Sequence, residues 1–423
     1  MRKIAFTGLA ALSVVLGCVI PASVASAAPM TARPFAAAAA AGAARALATG
    51  TDPGANTSTP SLSGSRVSCG TAKSCLAVTE NLDAAGNSTP AADFWNGTAW
   101  KSLALPLPKH TGGSLNGVSC KGASCLAVGY YSTASGDHPV ALRWNGKSLT
   151  QAAVPPLPAW GMGATLADVS CVTAVSCVAI GSATTSAGTT AVIIDTWNGA
   201  TWAMRTVALP ASMLAVAVNG LSCVSASYCA AGGMFAAASP GGSFGLLPLL
   251  VTWNGKAVAT KKLPAPQGAS LAMITDVSCA SVTSCAATGI SLSPALTSSN
   301  GFVDVLVGTT WKTASIAWPR GAASSELMAV SCTSPASCVA VGLDGITNSG
   351  ADAAALTYNG KTWTVQTNVP GPGRGQASLF GGVSCVTATY CAASGQTGRA
   401  SGNAAIPLNG VWNGKSWQLF RVP

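Results

Sequence analysis

Fourteen cysteines set in seven close couples limit what this chain can fold into more than any other feature. The couples are Cys69 and Cys75, Cys120 and Cys125, Cys171 and Cys177, Cys223 and Cys229, Cys279 and Cys285, Cys332 and Cys338, and Cys385 and Cys391. Six couples enclose five residues and the second encloses four. Their first members recur every 51, 51, 52, 56, 53 and 53 residues. A period near 50 marks a repeat architecture, in which each unit buries its apolar face against the next. An even set at fixed spacing in a secreted chain reads as a disulfide framework, one bridge to each couple.

Every copy reads alike. An apolar run ends in Val-Ser-Cys or Leu-Ser-Cys, and a short link leads to Cys-x-Ala. A Gly/Ser/Thr-rich stretch follows, then a third apolar run closing on Trp-Asn-Gly or Tyr-Asn-Gly, then a fourth short run. That pattern is four short strands separated by turn chemistry. The phrase recurs at Trp95-Asn96-Gly97, Trp144-Asn145-Gly146, Trp197-Asn198-Gly199, Trp253-Asn254-Gly255, Tyr358-Asn359-Gly360 and Trp412-Asn413-Gly414. Copy five breaks it at Val307 but keeps Gly308 and Trp311. Asn-Gly favours a two-residue type I′ hairpin, so the phrase is expected to join strands three and four.

The endings Gly360 to Trp363 and Gly414 to Trp417 resemble the Asp-box hairpin of sialidase-type propellers. They depart from it in having Asn directly before Gly, in place of an aspartate two residues earlier, and the cysteine couple is no part of that pattern. The resemblance implies a propeller and says nothing of sialidase activity, because that hairpin is itself structural. The expected fold is therefore all-β: a seven-bladed β-propeller of four-stranded antiparallel blades with one disulfide per blade. A β-solenoid is the rival architecture. Zinc is the rival to the disulfides, but the spacing is not Cys-x2-Cys and His110 and His138 lie outside the couples.

The ends of the chain have a different composition. Arg2 and Lys3, the apolar Ile4 to Ile20 and Ala25-Ser26-Ala27 read as a signal peptide, 1–27, cleaved after Ala27. A competing reading takes Val14–Cys18 as a lipobox with Cys18 acylated, a lipid tether. Residues 28–60 are Ala/Thr/Pro-rich and read as a disordered linker, leaving 61–423 for the propeller. No other stretch has the length of a transmembrane span. A secreted or extracellular location, possible envelope association and a monomer are expected. The formal charge of +10 becomes +8 when Arg2 and Lys3 leave. The charges are scattered without a basic stripe, which argues against nucleic acid.

In an up-and-down blade, the cysteine joint and the Trp-Asn-Gly joint share one face. The opposite face receives the longer, variable connections, where binding on a rigid scaffold usually resides. There the sequence places the ligand-binding candidates Tyr130, Tyr131, His110, His138, Trp160, Arg320 and Arg374. Asp137, Asp344, Arg399 and a Met234–Phe244 insertion are expected beside them. Acid–base chemistry is thinly provided for: two glutamates, Glu80 and Glu326, ten aspartates and two histidines. Asp168 and Asp276, just before Val-Ser-Cys, read as turn or edge hydrogen-bonders, as do Asn116 and Asn219. No catalytic residue, metal or cofactor is assigned, and nothing here demands an enzyme. The expected function is a secreted non-enzymatic binding or scaffold module for cell-surface glycan or extracellular protein. A glycoside hydrolase or lyase on the same scaffold and a structural cell-envelope protein are the alternatives.

Overall fold

The computed structural model describes residues 65–421, apart from 83–87, 154, 156–160, 186–189, 208, 211, 212, 214, 239–243, 296, 297, 319–323, 348, 349, 367, 368, 371–375 and 400–405. The signal peptide, the linker, Trp160, Arg320 and Arg374 lie outside the described residues.

The described residues form 28 strands in seven four-stranded antiparallel sheets, each built from four consecutive strands. Blade 1 contains β1 (Arg66–Thr71), β2 (Ser74–Leu82), β3 (Ser88–Trp95) and β4 (Trp100–Ser102). The innermost strands of blades 2 to 7 are β5 (Gly112–Lys121), β9 (Gly161–Thr173), β13 (Ala215–Ser225), β17 (Leu271–Ser281), β21 (Ser325–Ser334) and β25 (Gln376–Thr387). Among the described residues no sheet borrows a strand from another copy, so the ring closes by packing blade 7 against blade 1. This is the expected seven-bladed propeller.

Apolar residues alternate between the two faces of each sheet, and both faces are covered by neighbouring blades. Leu126 and Val128 of blade 2 pack with Leu166 and Ile193 of blade 3. Val178 and Ile194 of blade 3 pack with Val218, Phe235 and Leu249 of blade 4. Each such side chain contributes roughly 1.5–3 kcal/mol when fully buried. A sheet wet on neither face needs few charges, which accounts for a mean hydropathy of +0.43 with only 8% charged residues.

All seven cysteine couples are bridged, and every bridge stays within its own blade, as the spacing predicts. Cys69 bonds Cys75, Cys120 bonds Cys125, Cys171 bonds Cys177, and Cys223 bonds Cys229. Cys279 bonds Cys285, Cys332 bonds Cys338, and Cys385 bonds Cys391. In each blade the two cysteines are directly opposed on strands one and two. The difference in spacing has a physical origin. Six blades carry a register shift beside the bridge, the extra residue of a β-bulge, whereas blade 2 runs regularly from Cys120↔Cys125 to Lys121↔Ser124.

The second joint differs from expectation. The last ladder pair is Trp95↔Trp100, so four residues intervene where a type I′ turn would leave two. Gly97 supplies the positive φ, and Asn96 Oδ1 accepts the amides of Thr98 and Ala99 at 2.9 and 3.0 Å. The same two-amide cap recurs at Asn145, Asn198, Asn254, Asn359 and Asn413. The flanking rings pack on each other, as in Trp197 with Trp202 at 5.2 Å and Tyr358 with Trp363 at 4.9 Å. The copy-four insertion is also corrected: the ladder continues to Ala238↔Phe244, so Met234 to Ala238 is strand rather than loop.

Candidate functional site

Two places gather polar chemistry: the axis, where the innermost strands converge, and the rim of blade 2 on the variable face. The axis is built by one repeated phrase. In Val/Leu-Ser-Cys, the serine of each blade accepts the cysteine amide of the next. Cys120 N–H donates to Ser68 Oγ, Cys171 to Ser119, Cys223 to Ser170, Cys279 to Ser222, Cys332 to Ser278 and Cys385 to Ser331. The seventh bond, Cys69 N–H to Ser384 Oγ at 2.9 Å, closes the ring.

Two residues before those serines stand Arg66, Gly117, Asp168, Gly220, Asp276, Ala329 and Gly382. A Cβ on Gly117 would overlap Asp168, one on Gly220 would overlap Asp276, and one on Gly382 would meet Arg66. Each charged residue thus depends on a glycine in the preceding blade. Asp168 accepts the amides of Val169 and, in blade 4, Leu221 at 2.8 and 2.7 Å. Asp276 likewise accepts from Val277 and from Val330 of blade 6. Bulged neighbours reach across in the same direction: Asn116 Nδ2 donates to Leu166 O, Asn219 Nδ2 to Ile274 O and Thr275 Oγ1 to Leu327 O. The aspartates are hydrogen-bonders at blade junctions, as the sequence reading held.

Arg66 spans the centre. Its guanidinium donates to Gly381 O of blade 7 at 2.8 Å and to Thr275 O of blade 5 at 3.3 Å. A polar cavity of about 140 Å³ surrounds it, lined by Arg66, Asp168, Asp276 and six of the serines. Burial pushes Asp168 up to about 7, opposed by the Arg66 charge and the two amides and reinforced by Asp276. Asp276 is raised by burial too, with Arg66 opposing. The sequence reading missed Arg66 and the alternation of charge with glycine. Aligning the seven Ser-Cys phrases on the third residue before each first cysteine exposes both.

On the variable face, blade 2 brings four candidates to one end. β6 (Ser124–Thr133) carries Tyr130 and Tyr131, and β7 (Gly136–Trp144) carries His138 directly opposite Tyr131. Their rings stack at 5.3 Å between centroids. Thr133 Oγ1 and Ser135 Oγ each lie 3.0 Å from His138 Nε2, and Ser132 Oγ donates to Asp137 at 2.7 Å. His110 precedes Thr111, whose amide donates to Ser132 O on the same hairpin. Its Nδ1 is buried without a partner. All four rings are half-buried, neither core nor free.

The remaining acids are dispersed. Glu326, 1% exposed, is raised by burial to about 7, and Asp195 lies fully buried in blade 3 with both oxygens unpartnered. Among the described residues no group of three or more His, Cys, Asp or Glu could hold a metal ion, and no helix is long and apolar enough to cross a membrane.

Fold and axis together define a disulfide-stapled seven-bladed propeller whose described blades exchange no strand. No protein-family model matches the sequence, and no curated protein matches it. Solved structures resemble it in fold alone. A puromycin-hydrolysing peptidase of Mycobacterium tuberculosis is 12% identical with a TM-score of 0.50, over 86% of this chain and 52% of that one. YCF48 bound to D1 peptide is 14% identical, TM-score 0.45, over 81% and 93%. The Hadza microbial sialidase Hz136 is 10% identical, TM-score 0.44, over 79% and 74%.

Proposed function

We propose that this protein is a non-enzymatic binding module acting outside the cytoplasm, recognising a surface glycan or an extracellular protein through its variable face. Seven disulfides favour an oxidising compartment. The observation that carries the reading is the gathering of Tyr130, Tyr131, His138 and His110 at one blade end, beside Asp137 and three hydroxyl side chains. Aromatic faces with polar edges stack on sugar rings or anchor a protein partner at little entropic cost. Trp160, Arg320 and Arg374 fall by sequence in connections of the same face and are proposed to extend the contact.

One observation favours a glycoside hydrolase or lyase instead: Asp168, a carboxyl with its pKa near 7, faces an axial cavity with Asp276. Both aspartates, however, already accept two backbone amides, one of them from the next blade, so moving either one loosens the ring. Glycan-array binding, paired with a turnover assay on the same glycans, tests the choice. Tyr131→Ala is expected to weaken binding by about 1–3 kcal/mol with little change in Tm. Glu326→Gln, far from this rim in blade 6, is expected to leave binding unchanged. Turnover abolished by Asp168→Asn in a protein that stays folded would overturn the proposal.

A further inference from the structure

The propeller sorts by face the charges that look scattered along the chain. The two joints of a blade lie side by side at one end of its sheet: a Cβ on Gly97 would meet Lys73, one on Gly199 would meet Val175, and one on Gly360 would meet Ala336. Lys73 and Lys121 stand at cysteine joints, and Lys147, Lys256, Lys361 and Lys415 each follow the glycine of an Asn-Gly joint. All six are exposed. Among the described residues no acid shares this face. Six of the described acids are buried. The others, Glu80, Asp137, Asp344 and Asp352, stand at the strand ends of the variable face.

The same face carries bare apolar side chains. Val175 and Val282 occupy the tips of the cysteine joints of blades 3 and 5, and Val307 takes the asparagine's place in blade 5. They are 48%, 52% and 57% exposed. Among the described residues the only other exposed large apolar side chain is Ile406, which begins its strand at the opposite end. The cysteine joints connect the two inner strands of a blade and the Asn-Gly joints the two outer ones. Four of the six lysines therefore ring the outside, and the valines at positions 175 and 282 lie within that ring. Joints of repeated length bring the tips to one level, which makes the face flat.

We propose that this joint face docks on an anionic phospholipid bilayer. Lysine stems lie along an apolar boundary while their ammonium groups stay among the headgroup phosphates. Each one adds attraction to a negatively charged leaflet, and with no acid beside them that attraction is unopposed. The valines enter the boundary between headgroups and acyl chains, where apolar surface leaves water. A nucleic acid or another soluble polyanion would use the lysines but leave the valines wet, so charge and apolar exposure together favour lipid. Docked in this way, the propeller turns its variable face away from the bilayer, and the docking does not depend on what that face binds.

Sedimentation of the full secreted chain with vesicles tests this. Partitioning is expected to be stronger onto phosphatidylcholine vesicles containing phosphatidylglycerol than onto phosphatidylcholine alone. The preference is expected to vanish as salt rises from about 0.1 M to about 1 M, where the screening length falls from about 10 Å to about 3 Å. Lys147→Gln, Lys256→Gln and Lys361→Gln together are expected to weaken anionic-vesicle binding roughly tenfold or more, with Tm unchanged because all three are exposed. Removing the same charge away from the joints, at Lys109, Lys261 and Lys262, is expected to leave it nearly unchanged. Val175→Ser with Val282→Ser is expected to weaken vesicle binding while leaving any binding of double-stranded DNA as it was. No preference for the anionic vesicles overturns the proposal, as does equal partitioning of the two lysine variants. Vesicle binding indifferent to the valines, with DNA bound as tightly, also overturns it, in favour of a soluble polyanion.

Discussion

Asn359 and Gly360 show how a repeated dipeptide divides its labour. Gly360 holds φ at +89°, where a Cβ would press on Ala336, while Asn359 Oδ1 takes two amides that would otherwise go unpaired. Gly360→Val is therefore expected to cost on the order of 1–3 kcal/mol, through strain at positive φ in a β-branched residue. Val307 occupies the asparagine's place in copy five and is 57% exposed, so Val307→Thr is expected to change Tm hardly at all. Urea unfolding of both variants checks the pair, and equal sensitivity would refute this division of roles. The dipeptide's position was legible in sequence. Its geometry was not, because Asn-Gly favours both the turn centre and a side-chain cap, and only the register of the flanking tryptophans separates them.

At the scale of the element, each inner strand carries its own fastening to the next blade. Ser170→Ala is expected to destabilise by about 1–3 kcal/mol, since it leaves the Cys223 amide without an acceptor between packed blades. Converting Cys332 and Cys338 together to alanines is expected to cost roughly 2 kcal/mol, small because the closed loop is short. Chemical denaturation in which the serine variant were neutral would break the claim that the hydroxyl ring holds the blades. Strands, bridges and blade count could be read from spacing because each repeat obeys the same local rules. Arg66 could not, since its partners Gly381 and Thr275 lie 315 and 209 residues away. The blade 2 rim was legible as a face, yet the stack of Tyr131 on His138 came only from the pairing of β6 with β7.

For the whole molecule, close packing of seven sheets leaves several carboxyls dry, and that sets how stability responds to pH. Burial raises Asp168, Asp195 and Glu326 to about 7 and Asp304 to about 6, from ordinary values of 3.8 and 4.5. A carboxyl raised on folding binds its proton more tightly in the native state. Its stabilising contribution is complete below the ordinary value and is lost as pH climbs through the raised one. Tm is accordingly expected to be higher at pH 5 than at pH 8. Asp195 is the clearest contributor. Its counterpart Asp93 accepts from Ser102 Oγ, and Asp304, whose oxygens are likewise unpartnered, at least has the hydroxyl of Thr313 opposite it, whereas Asp195 faces Met204 with neither oxygen partnered. Blades 2, 4 and 6 place Leu142, Val251 and Leu356 at this position, so an apolar side chain is compatible with the strand. Asp195→Leu is expected to raise Tm at pH 8 more than at pH 5, flattening the profile between them. Calorimetry across that range decides the matter: a Tm that rises from pH 5 to pH 8, or a leucine variant less stable at pH 8, would show that these carboxyls are ionised in the folded ring.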